Sequence, residues 1–185
     1  MNRKVLAALA VVAGTVAVMS PSASSAGSNT SACGTSYAPV LDPATFVSVI
    51  DNPYFPLPVG RKLVYTGVKD GQTQTDTVVV TDQTKVILGI PATVVSDIAT
   101  HGGTLLEKTF DYYAQDGEGT VWYLGEDTTA LLANGKTDTS GSFVAGVDGA
   151  EPEIVMEAAP QIPDAYRQEC LAGSAEDTAC RESES

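Results

Sequence analysis

Apolar and polar residues alternate along most of the chain after Arg61, and this period of two is typical of β-strands that bury one face. Short alternating runs recur, separated by glycine-containing turns. Four such turns are Lys69–Gln72, His101–Thr104, Asp116–Gly119 and Asn134–Lys136. Because Asp-Gly and Asn-Gly pairs between apolar runs favour tight hairpins, the pattern predicts an antiparallel meander. We therefore expect an all-β domain over residues 42–172, built as a curved sheet, half-barrel or sandwich.

Two segments of this domain depart from simple alternation. Asp42 is suited to cap a short N-terminal helix, with Pro43 in its first turn and with Phe46, Val49 and Ile50 on one face. The following stretch, Asn52–Gly60, contains three prolines and is predicted to be an extended entry segment. Farther along, Val86–Thr100 reads as strand material, with a kink at Gly89-Ile90-Pro91.

The last third of the chain mixes loops with short strands. Ala145–Pro152 is predicted to be a Gly/Pro loop, Ile154–Met156 to pack back on the sheet, and Ile162–Glu169 to begin another strand. After Leu171 the residues become small and acidic, so residues 173–185 are predicted to be a disordered tail.

The first 26 residues have the pattern of a secretory signal peptide. Arg3 and Lys4 precede an apolar run, Val5–Met19, and the small residues Ser24 and Ala26 suit cleavage after Ala26. Residues 27–41 are then a disordered leader, and the product is secreted, with no transmembrane segment left after cleavage. A lipid anchor at Cys33 is the alternative, but the polar residues 20–31 separate that cysteine from the apolar run and favour soluble release.

Charge and cysteine content narrow the choice of partners. The chain has 10 basic and 23 acidic residues, and loss of Arg3 and Lys4 with the signal changes the net charge from −13 to −15. An acidic surface without a basic stripe argues against nucleic acid as a partner. The three cysteines, Cys33, Cys170 and Cys180, leave their pairing open, and one histidine makes a zinc site unfavoured.

The predicted turn Asp116–Gly119 and the strand before it carry carboxylates that suit a hard cation. Asp111, Asp116 and Glu118 lie on or beside a glycine-rich turn, and oxygen ligands of this kind bind Ca²⁺. The spacing does not match an EF-hand. The favoured alternative is an ordinary hairpin turn whose acids face water.

Four aromatic residues flank the same turn: Tyr112, Tyr113, Trp122 and Tyr123. Across a hairpin they would cluster, either as a ligand-binding surface or, more commonly, as cross-strand packing.

Catalytic groups are harder to find in the sequence. Glu107 and Asp111 share a strand face but stand about 13 Å apart at roughly 3.3 Å per residue, too far for a glycosidase pair. Glu126 is a possible cross-strand neighbour that the sequence does not place. No catalytic residue is assigned. We expect a non-enzymatic binding or cell-envelope module; a hydrolase with convergent carboxylates and a small-ligand carrier remain open.

Several motifs resemble a family of uncharacterised secreted bacterial proteins. They are NPYFPL at 52–57, DYYAQD at 111–116, VWYLGE at 121–126, AGVDGA at 145–150 and YRQE at 166–169. The resemblance covers most of the mature chain, from about residue 51 to residue 177, and implies a β-rich extracytoplasmic domain of unknown activity. Family members continue with further strands after the last motif, so this chain is expected to be truncated at its C-terminus.

Overall fold

The computed structural model describes residues 38–69, 71–161, 165–171 and 175–180. The predicted signal peptide, residues 27–37 of the predicted leader and Cys33 lie outside the described residues.

Five long antiparallel strands form the main sheet, each paired with the next along the chain. They are β2 (Lys62–Lys69), β3 (Gln72–Ile87), β4 (Ile90–His101), β5 (Thr104–Asp116) and β6 (Val121–Leu131). Four short strands complete it: β1 (Phe46–Val47) pairs with β5, and β7 (Thr137–Asp138), β8 (Phe143–Val144) and β9 (Glu153–Met156) pair with β6. The sheet is curved and open, which confirms the predicted all-β antiparallel meander.

The turns predicted from Asp-Gly, Gly-Gly and Asn-Gly pairs fall between consecutive strands, as expected. The kink predicted at Gly89 is wrong, because Leu88 and Gly89 instead form a two-residue hairpin turn. Both residues have positive φ, 51° and 82°, and Ile87 pairs directly with Ile90. This backbone matches the twist of the flanking strands, so the chain reverses there and makes two long strands, β3 and β4.

The predicted N-terminal helix is also corrected. Asp42 does cap a helical turn, since its side chain accepts from the Ala44 amide, but the turn is a 3₁₀ helix of three residues, Pro43–Thr45. The chain then becomes strand β1, with Phe46 opposite Asp116 and Val47 opposite Gln115. Pairing with β5 satisfies backbone groups that a single isolated helical turn would leave open.

The extended segment after β1 is held by Asn52, which is 2% exposed. Its side-chain Nδ2 donates to the backbone carbonyls of Gly119 and Glu157, at 2.8 and 3.0 Å. Its side-chain Oδ1 accepts from the backbone amides of Tyr54 and Phe55. The backbone amide of Asn52 donates to the side-chain oxygen of Gln115. One side chain therefore ties the segment to two separate loops.

Apolar residues pack on both faces of the sheet, which we name by the tyrosine that each buries. The Tyr123 face packs a cluster composed of Ile50, Phe55, Leu57, Val78, Val80, Val95, Tyr113, Val121, Tyr123, Phe143, Ala150 and Val155. The Tyr112 face packs a second cluster composed of Ile87, Ile90, Ala92, Val94, Tyr112, Ala114, Leu124 and Ala145. Burial on both faces explains why β4 and β5 have apolar residues at consecutive positions.

A separate hairpin follows, with β10 (Ala165–Leu171) antiparallel to β11 (Ala175–Cys180). The predicted strand near residues 162–169 is thus present. The disordered tail predicted over residues 173–185 is wrong for residues 175–180, because they pair with β10. In this register Cys170 lies opposite Glu176 and Cys180 opposite Ala165.

Candidate functional site

A β-bulge in β6 decides which side chains meet on the Tyr123 face. Tyr112 lies opposite Gly125 but Tyr113 lies opposite Tyr123, so Leu124 is an extra residue in the ladder. Without the bulge, Tyr123 and Glu126 would point to opposite faces, because they are three residues apart. With it, the Tyr123 hydroxyl reaches Glu126 Oε2 at 2.7 Å.

Strand register gathers five carboxyl side chains on this face, beside the apolar cluster. Asp111 of β5 lies opposite Glu126 of β6, and Asp97 of β4 lies opposite Thr109, two residues before Asp111 on β5. Two residues farther in the same direction along β5, Glu107 lies opposite Ala99 of β4. Asp76 of β3 lies on the other side of Ala99. We call these five residues the carboxyl cluster; its members are Asp76, Asp97, Glu107, Asp111 and Glu126.

The Tyr123 hydroxyl bridges two members of the cluster. It lies 2.8 Å from Asp111 Oδ1 and 2.7 Å from Glu126 Oε2, so these two carboxyl oxygens are at most 5.5 Å apart. A hydroxyl has one proton to donate. The Tyr123 hydroxyl therefore shares its proton between the Asp111 and Glu126 oxygens, and each of the two bonds is weaker than a full one.

Burial of the two carboxyls opposes their ionisation. Burial raises the pKa of Asp111 to about 8; the hydrogen bond from Tyr123 opposes the shift, and the negative charge of Glu126 adds to it. Burial also raises the pKa of Glu126 to about 7, again with the tyrosine opposing. The bridge thus retains carboxyl protons at neutral pH, as closely spaced buried carboxyls generally do.

Asp97 and Asp76 form a second pair of interacting carboxyls in the cluster. Burial raises the pKa of Asp97 well above its usual range, and the hydrogen bond with Asp76 adds to this shift. Asp97 is 6% exposed and Glu107 is 8% exposed. Burial raises the pKa of Glu107 as well, although the positive charge of Lys69 lowers it.

Two members of the cluster have carboxyl oxygens without a hydrogen-bond partner among the described residues. Asp111 and Glu126 accept from Tyr123, whereas Glu107 makes no such bond and Asp76 Oδ1 is buried without one. A buried oxygen in this state is costly to maintain unless a ligand or water completes it. Glu107 also interacts with the rest of the group. Its charge acts on Asp97, Asp111 and Glu126, which places it within the cluster.

The four predicted aromatic residues do not form one surface. Tyr113 and Tyr123 stack on each other at 4.9 Å between ring centroids, within the Tyr123-face core. Tyr112 and Trp122 lie on the Tyr112 face, where the Tyr112 hydroxyl donates to Asp127, itself paired with Lys85 at 3.0 Å. The bulge aligns the first two, and strand alternation sends the others to the opposite side.

The three predicted calcium ligands are not brought together either. Asp111 belongs to the carboxyl cluster, whereas Asp116 Oδ1 accepts from the amides of Glu118, Gly119 and Thr120. Asp116 Oδ2 accepts from Trp122 Nε1 at 2.8 Å. Asp116 is therefore used to close the turn. Among the described residues, no group of three His, Cys, Asp or Glu side chains is arranged to hold a metal ion.

Two cluster members, Asp76 and Asp97, were not predicted as site residues from the sequence. Asp76 lies among the threonines and glutamines of a half-exposed strand, and Asp97 follows an apolar run in β4, so neither stands in a recognisable motif. Strict alternation along β3 and β4 would have placed them on the buried face with Val78 and Val95. Only the register across three strands, β3, β4 and β5, shows that they meet Glu107.

Other parts of the described chain offer less. A pocket of about 300 Å³ opens beside β8, lined by Asp127, Ser142, Phe143, Val144, Val147 and Asp148. In the described segments, no helix is long and apolar enough to cross a membrane.

The chain matches no protein-family model, no curated protein and no solved structure. The resemblance to uncharacterised secreted bacterial proteins therefore remains a prediction.

Proposed function

We propose that the protein is a secreted, non-enzymatic binding module that captures an organic cation, such as a polyamine or a basic peptide side chain, at the carboxyl cluster. The observation that carries this proposal is the group of five carboxyls on one face of the sheet, in which Asp76 Oδ1 is buried without a hydrogen-bond partner among the described residues.

Electrostatics favours a positive ligand at this place. Buried carboxyls resist ionisation because they are desolvated and because each neighbour repels a second negative charge. An ammonium or guanidinium group supplies a compensating charge and donates hydrogen bonds, so both penalties fall when it binds. Lys69 already shows the direction of the effect, since its charge lowers the pKa of Glu107. The acidic surface would steer cations towards the site.

The kind of cation follows from the donor arrangement. The Tyr123 hydroxyl occupies the point on which the Asp111 and Glu126 oxygens converge, and the other three carboxyls lie farther along the strands. Spread acceptors suit an extended ligand with several N–H donors better than a single metal ion. Asp76 and Glu126 remain partly exposed and provide the solvent-facing ends of the site.

Calorimetric titration with spermidine tests the proposal. Binding should release protons, because a cation favours the ionised carboxyls; affinity should therefore rise between pH 6 and pH 8.5. Repeating the titration in buffers of different ionisation enthalpy measures the number of protons released.

Matched variants separate the site from general acidity. Glu107→Gln should weaken binding at least tenfold, whereas Asp82→Asn, on an exposed part of β3, should change it less than twofold. Equal weakening by both substitutions, or binding without proton release, would show that spermidine is held by the acidic surface alone.

A hydrolase is the second candidate, and the spacing of Asp111 and Glu126 favours it. Their bridged oxygens are at most 5.5 Å apart, and retaining glycosidases hold their carboxyls about 5–5.5 Å apart. We rank it second because Asp111 is 6% exposed, which leaves little access for a sugar ring. A panel of aryl glycosides tests it: turnover that Glu126→Gln abolishes supports a hydrolase, and no turnover on any substrate rejects this assignment.

A further inference from the structure

Strand β2 is the free edge of the main sheet within the described part of the chain. It pairs with β3 from Lys62 to Lys69 without a register shift, and no described strand lies on its other side. Val64 is 57% exposed and Val68 is 74% exposed. A regular, eight-residue, proline-free edge with exposed valines presents unpaired backbone groups to a partner strand.

The hydrogen bonds to β3 show which backbone groups of β2 are unused. The Val80 amide donates to the Arg61 carbonyl at 2.9 Å, and Arg61 is followed by a continuous ladder. Because antiparallel strands alternate their backbone direction, odd-numbered residues of β2 face β3. The amides and carbonyls of Lys62, Val64, Thr66 and Val68 therefore point away from the sheet.

We propose that β2 pairs antiparallel with β2 of a second copy of this chain, with a two-fold axis at Thr66. Outward-facing residues must lie opposite one another in such a pair, which limits the register to a few choices. Centred on Thr66, Val64 faces the partner's Val68 and Tyr65 faces the partner's Gly67. An aromatic ring over a strand glycine is a favourable cross-strand pair, and the space above Gly67 is open.

Charge disfavours the register centred on Tyr65. Centring the pair on Tyr65 would place Arg61 opposite the partner's Lys69, twice per dimer, and like charges directly opposite are destabilising. Centred on Thr66, Lys69 faces the partner's Leu63 and no two of these cations are opposed. The edge also carries Arg61, Lys62 and Lys69, three of the ten basic residues.

Two edge strands alone bury less than the roughly 1,200 Å² of a stable interface, so the dimer should be weak and concentration-dependent. Sedimentation equilibrium between about 5 and 300 µM protein measures it. Thr66→Pro should abolish the dimer, since it removes an outward-facing amide while leaving the bonds to β3 intact. Thr66→Val keeps that amide and should preserve the dimer. Circular dichroism verifies that both variants fold.

A charge exchange tests the register itself. Val64→Lys or Val68→Glu alone should weaken association at least fivefold. The double variant should restore it, because each lysine then faces a glutamate of the other copy. A monomer at every concentration, a dimer that survives Thr66→Pro, or a double variant weaker than both single variants would overturn the proposal. Recovery of β2 bound to a foreign strand would overturn it too.

Discussion

Replacement of Asp111 by asparagine should change how stability depends on pH. In the folded protein, burial raises the pKa of this carboxyl to about 8, against an ordinary value near 3.8. The folded state therefore holds a proton that the unfolded chain releases above about pH 4. The stabilisation from the buried, protonated form is complete below the unfolded pKa and is lost as pH rises towards the folded one.

The magnitude follows from the width of that window. One proton difference between the two states changes the free energy of unfolding by about 1.4 kcal/mol per pH unit. Between pH 5 and pH 7 the Asp111 carboxyl alone should therefore remove about 2–3 kcal/mol from the wild type, as an upper figure. In Asp111→Asn this contribution disappears. The amide has nearly the same shape and can still hydrogen-bond with the Tyr123 hydroxyl.

Urea unfolding at half-unit steps from pH 5 to pH 8.5 measures the effect. The slope of unfolding free energy against pH should be shallower in Asp111→Asn by about one proton equivalent. Asp82→Asn makes the same chemical substitution at an exposed position of β3 and should retain the wild-type slope. Parallel curves for wild type and Asp111→Asn, or wild-type stability that rises with pH, would refute the assignment of a buried proton to Asp111.

Three structural predictions can be measured by urea or thermal unfolding. Gly125→Ala should cost roughly 1–3 kcal/mol or more, because the new Cβ would lie 2.4 Å from the Phe143 carbonyl oxygen and displace β8; wild-type stability would contradict this contact. Asn52→Ala should cost about 3 kcal/mol or more, since it leaves several buried backbone groups unpaired. The exposed Asn134→Ala should cost less than about 1 kcal/mol, and equal costs would argue against an anchoring role for Asn52. Asp116→Ala should destabilise the β5–β6 turn and shift the fluorescence of the single tryptophan, Trp122; an unchanged spectrum would contradict the bond to its indole.

The sequence alone determined most of the strand arrangement. Two-residue periodicity and glycine-containing turns are local properties, so they marked β2, β5 and β6 and the hairpins between them. Periodicity also placed Glu107, Asp111 and Tyr113 together on one face of β5. It failed at Leu88-Gly89 and at Phe46, where a positive φ in one case and pairing with a distant strand in the other overrode the local pattern.

The site was decided by tertiary structure. Asp76 and Asp97 meet Glu107 only because β3, β4 and β5 adopt one particular register. Glu126 lies on the same face as Tyr123 only because one extra residue in β6 reverses the alternation of side chains. In the sequence Trp122–Glu126, the glycine is the one residue that indicates a bulge. Gly125 tolerates a φ of 140° and lets the β8 backbone approach where a side chain would collide. Alternation is local, whereas register and bulges depend on which strands lie alongside, and that information is distributed over the whole sheet.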